Sequence, residues 1–481
     1  MRVEDSEEPS SGVEPPDSDS AQGRGLGRWI PVGLVAALVA VATLLLNGGD
    51  SPVTVGVLAL VLMLLLLAMK VPVAVAMMAA AVAGYAVIVG FSPALARFGS
   101  DAFREAASYN LSVIPLYVLM GLLLASAGLG KDLYTALGAF LWRLRGGLAP
   151  ATIGASALFG AVSGSAVASA TTMSIVAVPE MRRHNYDAPF SAACAAVGGT
   201  LGILIPPSAI LVLYGVLTEE SIGQVLIAGI VPGLMTTVLL MVTASVVVWR
   251  NPNLAPEKLD SSPVSKLRAL GLVWAVPVIF GASMGGLYLG VFTPTESGAV
   301  GAFLALVYGV LTRRLDLMSF LEAVSRTIRT SALIFLLVIA GKMLGFFLSI
   351  TRIPREIGEF IGTLDVAPVL VLTAIFVIYF IGGALMDEIA LLVIMTPIFY
   401  PIVIGLGYNG IWFGVLSIMM LLTGLLTPPI GLLTFVVSGI TKIPLGQVYR
   451  AVTPFWMTLV LAIFLVILFP TIATILPDLM R

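Results

Sequence analysis

Small hydroxyl residues, glycines and two carboxylates recur where an apolar chain should carry nothing polar. One group reads Gly160-Ala161-Val162-Ser163-Gly164-Ser165-Ala166-Val167-Ala168-Ser169. Another reads Gly198-Gly199-Thr200-Leu201-Gly202-Ile203-Leu204-Ile205-Pro206-Pro207-Ser208. A third holds Gly382-Gly383-Ala384-Leu385-Met386-Asp387-Glu388, and a fourth Thr423-Gly424-Leu425-Leu426-Thr427-Pro428-Pro429. Hydroxyl and carbonyl oxygens gathered by glycine-rich backbone suit a hard cation such as Na⁺. Ends of interrupted helices present free carbonyls to a cation and free N–H groups to an anion. The serine-rich group also fits close packing of helices through small residues.

These groups must be positioned by membrane-spanning elements. Of 481 residues, 59% are hydrophobic and 11% charged, and the mean hydropathy is +1.07. Soluble domains carry roughly 25% charged residues, so the chain reads as an all-α polytopic membrane protein. A net charge of −1 offers nothing to nucleic acid, and one Cys and one His exclude thiolate clusters and HExxH zinc sites. No G-x-x-x-x-G-K-[ST] loop is present, which leaves no ATP site.

Within hydrocarbon an unpaired amide or carbonyl costs several kcal/mol, so a broken helix survives only where protein or a cavity satisfies it. Gly199, Gly202, Pro206 and Pro207 break 188–218 in this way. The runs 148–181 and 366–403 are too long for one crossing, and each has a polar or glycine-rich middle. The charge bias of Lys131, Arg143, Arg145 and Arg182–His184 toward one side lets both be read as re-entrant hairpins with a cytoplasmic N-terminus. Arginines in 91–110 and 351–359 run against that bias. Lys342, in the middle of a span, either pairs with a carboxylate or snorkels. Glu296 follows Thr293-Pro294 as a helix cap would.

A shift of 222 positions brings Pro206-Pro207 onto Pro428-Pro429, Gly202 onto Gly424, Tyr186 onto Tyr408 and Gly160 onto Gly382. It also brings Ser165 onto Asp387. With an odd number of spans between them, the two copies are inverted repeats, a design that places a site at the repeat interface near the midplane. The expected organisation is an acidic disordered tail 1–28, an extra helix 29–50 and scaffold helices 51–110. The first repeat, 111–249, holds hairpin 148–181 and broken helix 188–218. A connecting region 250–329 leads to the second repeat, 330–476, with hairpin 366–403 and broken helix 410–440.

At Gly164-Ser165-Ala166-Val167-Ala168, Pro179-Glu180-Met181, Gly199–Ser208, Ala228–Gly233, Phe292–Glu296 and Thr427–Leu432 the chain resembles the large membrane subunit of TRAP transporters. The resemblance runs from about Leu60 to Pro470. It implies an elevator-type transporter in the bacterial inner membrane, with a scaffold and a moving transport domain, importing a small organic anion, often a carboxylate, with Na⁺. It implies two partners, a small membrane subunit and a periplasmic substrate-binding protein, in a lipid bilayer. Carried over by position, one Na⁺ site uses Ser163, Gly164 and Ser165 with Gly199, Thr200, Gly202 and Pro206. The other uses Gly383, Asp387, Gly424 and Thr427. Ser165, Ser169, Ser208 and Thr427 are the corresponding substrate contacts. The family commonly has two serines after the glycine, whereas here Ala166 follows Ser165. Other readings are a stand-alone dicarboxylate or citrate carrier, an intramembrane hydrolase using Ser165 or Asp387, and a channel.

Overall fold

The computed structural model describes residues 51–256, 264–363 and 367–480, with Leu38, Ala40, Val41, Ala42 and Leu44. The expected acidic tail and most of the extra helix lie outside the described residues. The described chain is helical, and eight of its helices are long and apolar enough to cross a membrane.

Two packed groups can be distinguished. In one, Pro52–Ala68, Val73–Val89 and Val113–Ser126 pack on Leu317–Thr351, a single 35-residue helix, and Pro294–Leu311 packs on Val113–Ser126. The other holds two hairpins and two interrupted helices, flanked by Ile230–Arg250 and Leu445–Leu468. The first hairpin is Leu148–Ser163 and Ala166–Arg183; the second is Pro368–Leu385 and Glu388–Gly405. Two residues join the legs of each hairpin, 164–165 in the first and 386–387 in the second, so the chain doubles back there.

The hairpins enter from opposite faces. The interrupted helix Ala188–Thr200/Ala209–Thr218 starts at the mouth of the first hairpin. Its far end reaches the mouth of the second, where the Tyr214 hydroxyl donates to the Gly410 carbonyl (2.7 Å) and Tyr400 donates to Glu220 (2.7 Å). The other interrupted helix, Gly410–Gly424/Leu432–Thr441, runs back, and Ile440 and Thr441 share a groove with Arg182 and Arg183 at the first mouth. The repeat is therefore inverted.

Packing across the repeats is reciprocal. Ala209–Thr218 lies on Glu388–Gly405 of the second hairpin, while Leu432–Thr441 lies on Ala166–Arg183 of the first. Each broken helix is held by both hairpins, which ties the repeats into one unit.

The structure adds detail to several sequence expectations. The segment 91–110 contains the helix Phe91–Ala106, and the region after 351 forms Ile353–Thr363. Arg97, Arg104 and Arg355 are paired, which explains how they stand against the charge bias. Arg97 and Arg104 both bond Asp101 (2.7 and 2.8 Å), Arg97 lies 4.2 Å from the Phe346 ring centre, and Arg355 bonds Glu359 (2.7 Å). The helices Ile222–Ala228 and Ile230–Arg250 meet at Gly229, where a Cβ would lie 2.5 Å from the Leu204 carbonyl oxygen. Lys342 pairs with a carboxylate, its ammonium 2.8 Å from Glu219. Glu296 forms a capping box with Thr293, and His184 sits 3.3 Å from Glu180 at a helix end.

Candidate functional site: hairpin tips on helix breaks

Each hairpin turns where a residue leaves the helix and the next caps the return. In the first, Gly164 adopts φ +61, a left-handed conformation that costs glycine little, and its N–H bonds the Gly160 carbonyl (2.7 Å). Ser165 is extended and its hydroxyl accepts from the Ala168 N–H (3.3 Å). In the second, Met386 occupies the equivalent place, bonding the Gly382 carbonyl (2.9 Å). Asp387 is the cap, and one carboxylate oxygen accepts from the Ile389 and Ala390 N–H groups (3.0 and 3.1 Å). Ser165 and Asp387, aligned by the shift, thus perform the same structural task with different charge.

Both tips press backbone against backbone at a helix break. A Cβ on Gly160 would stand 2.4 Å from Gly202 Cα, and one on Gly383 would stand 2.8 Å from Gly424 Cα. Nothing flexible stands at either contact, so only glycine permits these approaches. Around the first tip, a Cβ on Gly202 would meet the Ser165 carbonyl oxygen at 2.8 Å, and one on Gly164 the Pro207 carbonyl oxygen at 3.1 Å. Gly199 packs equally close on Ala170. Both Pro-Pro bonds, 206–207 and 428–429, are cis.

The structure brings Ser163, Gly164, Ser165, Gly199, Gly202 and Pro206 together at the first tip and break. Ser163 Oγ is buried with no hydrogen-bond partner. An orphaned buried hydroxyl next to the Gly164-Ser165 turn is a group a hard cation would satisfy. Thr200 is fully buried, and its hydroxyl donates to Val197 (2.7 Å). Gly383, Asp387, Gly424 and Thr427 form the second tip and break, where the Thr427 hydroxyl donates to Thr423 (2.6 Å). A hydroxyl that has donated its proton keeps lone pairs for a cation.

Of the expected substrate contacts, Ser165 and Thr427 border the tips. Ser208 is buried, capping Ala209–Thr218 while donating to the Ile203 carbonyl (2.7 Å). Ser169 is fully buried within the first hairpin and donates to the Ser156 carbonyl (2.9 Å), bracing its two legs. Burial at the second tip falls on Glu388, 7% exposed, while Asp387 is exposed. Helix phase could not foretell this, because the turn resets the face each residue presents. Helix N-termini, with their positive partial charge, stand at Ser165 and Ser208 in one repeat and at Asp387 and Gly431 in the other.

Residues 60–472 match the family described as "Tripartite ATP-independent periplasmic transporter, DctM component". The chain is 34% identical over 402 residues to the C4-dicarboxylate TRAP transporter large permease protein DctM of Pseudomonas aeruginosa, covering 82% of this chain and 93% of that one. It is 31% identical to the sialic acid TRAP transporter large permease protein SiaM of Vibrio cholerae, over 77% and 87% of the two chains. It is 33% identical to the ectoine TRAP transporter large permease protein TeaC of Halomonas elongata, over 77% and 86%. In fold it is similar to the crystal structure of the Alcanivorax borkumensis YdaH transporter, with a TM-score of 0.60 at 15% identity over 80% of this chain and 90% of that one. The repeats, the broken helices and these likenesses agree: the chain is a multi-pass membrane transporter permease, not an enzyme, and belongs to the DctM component family of tripartite ATP-independent periplasmic (TRAP) transporters.

Proposed function

We propose that this chain is the large membrane subunit of a Na⁺-driven importer of a small organic anion, a carboxylate. It would work in the bacterial inner membrane, with its N-terminus in the cytoplasm, alongside a small membrane subunit and a periplasmic substrate-binding protein. The observation that carries the reading is the repeated seating of a hairpin tip on a helix break, with Ser163 Oγ orphaned at one seat and the Asp387 carboxylate capping the other. Na⁺ would be held by Ser163, Gly164, Ser165, Gly199, Thr200, Gly202 and Pro206 at the first seat. At the second it would be held by Gly383, Asp387, Gly424 and Thr427. When bound, it supplies positive charge that joins tip to break.

The chain's own residues do the rest. The helix N-termini at Ser165, Ser208 and Gly431 turn positive partial charge toward an anion lying between the repeats. Ser165, Ser208 and Thr427 are the polar groups proposed to orient it, while Ser169, spent within the first hairpin, is not one of them. The reciprocal packing of broken helices on hairpins favours movement of that group as one body, against the group built on Leu317–Thr351. This is elevator motion.

Proteoliposomes containing the permease, its small subunit and its binding protein test the reading. Uptake of a labelled carboxylate is expected to need an inward Na⁺ gradient and the binding protein. Uptake unchanged when choline replaces Na⁺ on both sides would remove the coupling. Uptake at full rate without the binding protein would make the chain a stand-alone carrier.

A further inference from the structure

Glu388 opens the helix Glu388–Gly405, is only 7% exposed, and its Oε2 is buried without a hydrogen-bond partner. A carboxylate inside a membrane protein is costly unless a cation or donors compensate it. Leu391, one turn further on, shares its helix face. A Leu391 methyl lies 3.6 Å from the place a Cβ of Gly383 would occupy, and Gly424 Cα lies 2.8 Å from the same place. That face therefore looks onto the junction of the second tip and its helix break. Helical side chains tilt toward the N-terminus, so Glu388 leans back to the tip and not down the helix.

Among the described residues, no ion pair to a basic side chain neutralises it. Lys342 lines a cavity with Thr396, Pro397 and Tyr400, and Arg355 lines one with Pro397 and Pro401. Thr396 alone is about 12 Å along the helix from Glu388. The adjacent ionisable group is Asp387, which is acidic too. In the first repeat the equivalent position is Ala166, fully buried and apolar.

We propose that Glu388 is a carboxylate ligand of the monovalent cation at the second hairpin tip, beside Asp387. The two sites are then unequal. The first is built from neutral oxygens, whereas the second confronts its cation with two acidic side chains. Occupation of the second site thus governs whether its tip can close on the break between Gly424 and Gly431. The inference rests on the Na⁺-coupled reading given above.

Thermal unfolding of the purified full-length chain in detergent tests it without transport. NaCl is titrated against choline chloride at constant ionic strength, with KCl as a control. The wild type is expected to gain stability with Na⁺ and not with K⁺. Glu388→Gln should raise the Na⁺ concentration giving half the gain by about tenfold or more, the loss typical of a deleted metal-site group. Glu388→Asp should recover part of it, and both variants should unfold cooperatively in choline. A half-point unchanged in Glu388→Gln overturns the assignment of Glu388 alone. A wild type equally stable in Na⁺, K⁺ and choline overturns the sodium reading and this ligand with it.

Discussion

The two halves share a backbone plan and differ in what they place on it. In the first repeat the tip is Gly164-Ser165, the cap is neutral, and Pro206, Pro207 and Ser208 of the break are all buried. In the second the tip is Met386-Asp387, the cap is acidic, and Pro428, Pro429 and Ile430 are exposed. The return helix starts from a serine cap at Ser208 in one half and from a left-handed glycine, Gly431 at φ +49, in the other. The glycine contacts at 160/202 and 383/424 are the common part, and charge and exposure are the divergent part. Duplication has kept the mechanical seat and altered the chemistry set on it.

The largest expected effects strike the common part. Gly160→Val and Gly424→Val each drive a side chain into backbone, at 2.4 Å from Gly202 Cα and 2.6 Å from Gly383 Cα. Each should cost about 1–3 kcal/mol or more by overpacking and abolish uptake, read as folded yield and transport together. Sensitivity confined to one repeat would break the equivalence of the seats.

The divergent part should respond unequally. Asp387→Asn keeps a good helix cap and removes a charge, so stability in choline should hold while Na⁺-driven uptake falls by about tenfold or more. Ser165→Ala gives up one 3.3 Å cap bond and should cost about 1 kcal/mol of stability. Its backbone oxygen remains, so uptake should persist at a reduced rate. Equal loss of uptake in the two variants would contradict the division into a neutral and an acidic tip.

The smallest effect is expected where the moving and static groups touch. Lys342→Met breaks the 2.8 Å pair with Glu219, whose side chain is 83% exposed. The change should be worth about 1 kcal/mol or less in thermal stability. A much larger loss would mean that this contact, and not the tips, holds the two groups together.

Much of this architecture was legible because glycine and proline mark where a membrane helix cannot continue. The Pro-Pro pairs located both breaks, and the 222-residue shift located the second tip from the first. The pairing of Gly160 with Gly202 lay in those same motifs, though only coordinates show that the two touch. Other features were not legible. In Phe91–Ala106 the pairing of Arg97 and Arg104 with Asp101 is local, at i,i+4 and i,i+3, but the seat of Arg97 on the Phe346 ring is visible only in the fold. The junction at Gly229 lies against a neighbouring carbonyl. Burial of Glu388 beside an exposed Asp387 follows from the tip geometry, because Asp387 is the extended cap and Glu388 the first helical residue.

The account stands on two cation seats acting in one transport step, and the Na⁺ dependence of initial uptake rate tests this most directly. With saturating substrate and binding protein in proteoliposomes, the wild type should give a sigmoidal curve with a Hill coefficient above one. Ser163→Ala and Asp387→Asn should each flatten it toward simple saturation. A hyperbolic wild-type curve that neither variant alters would contradict the paired-site account.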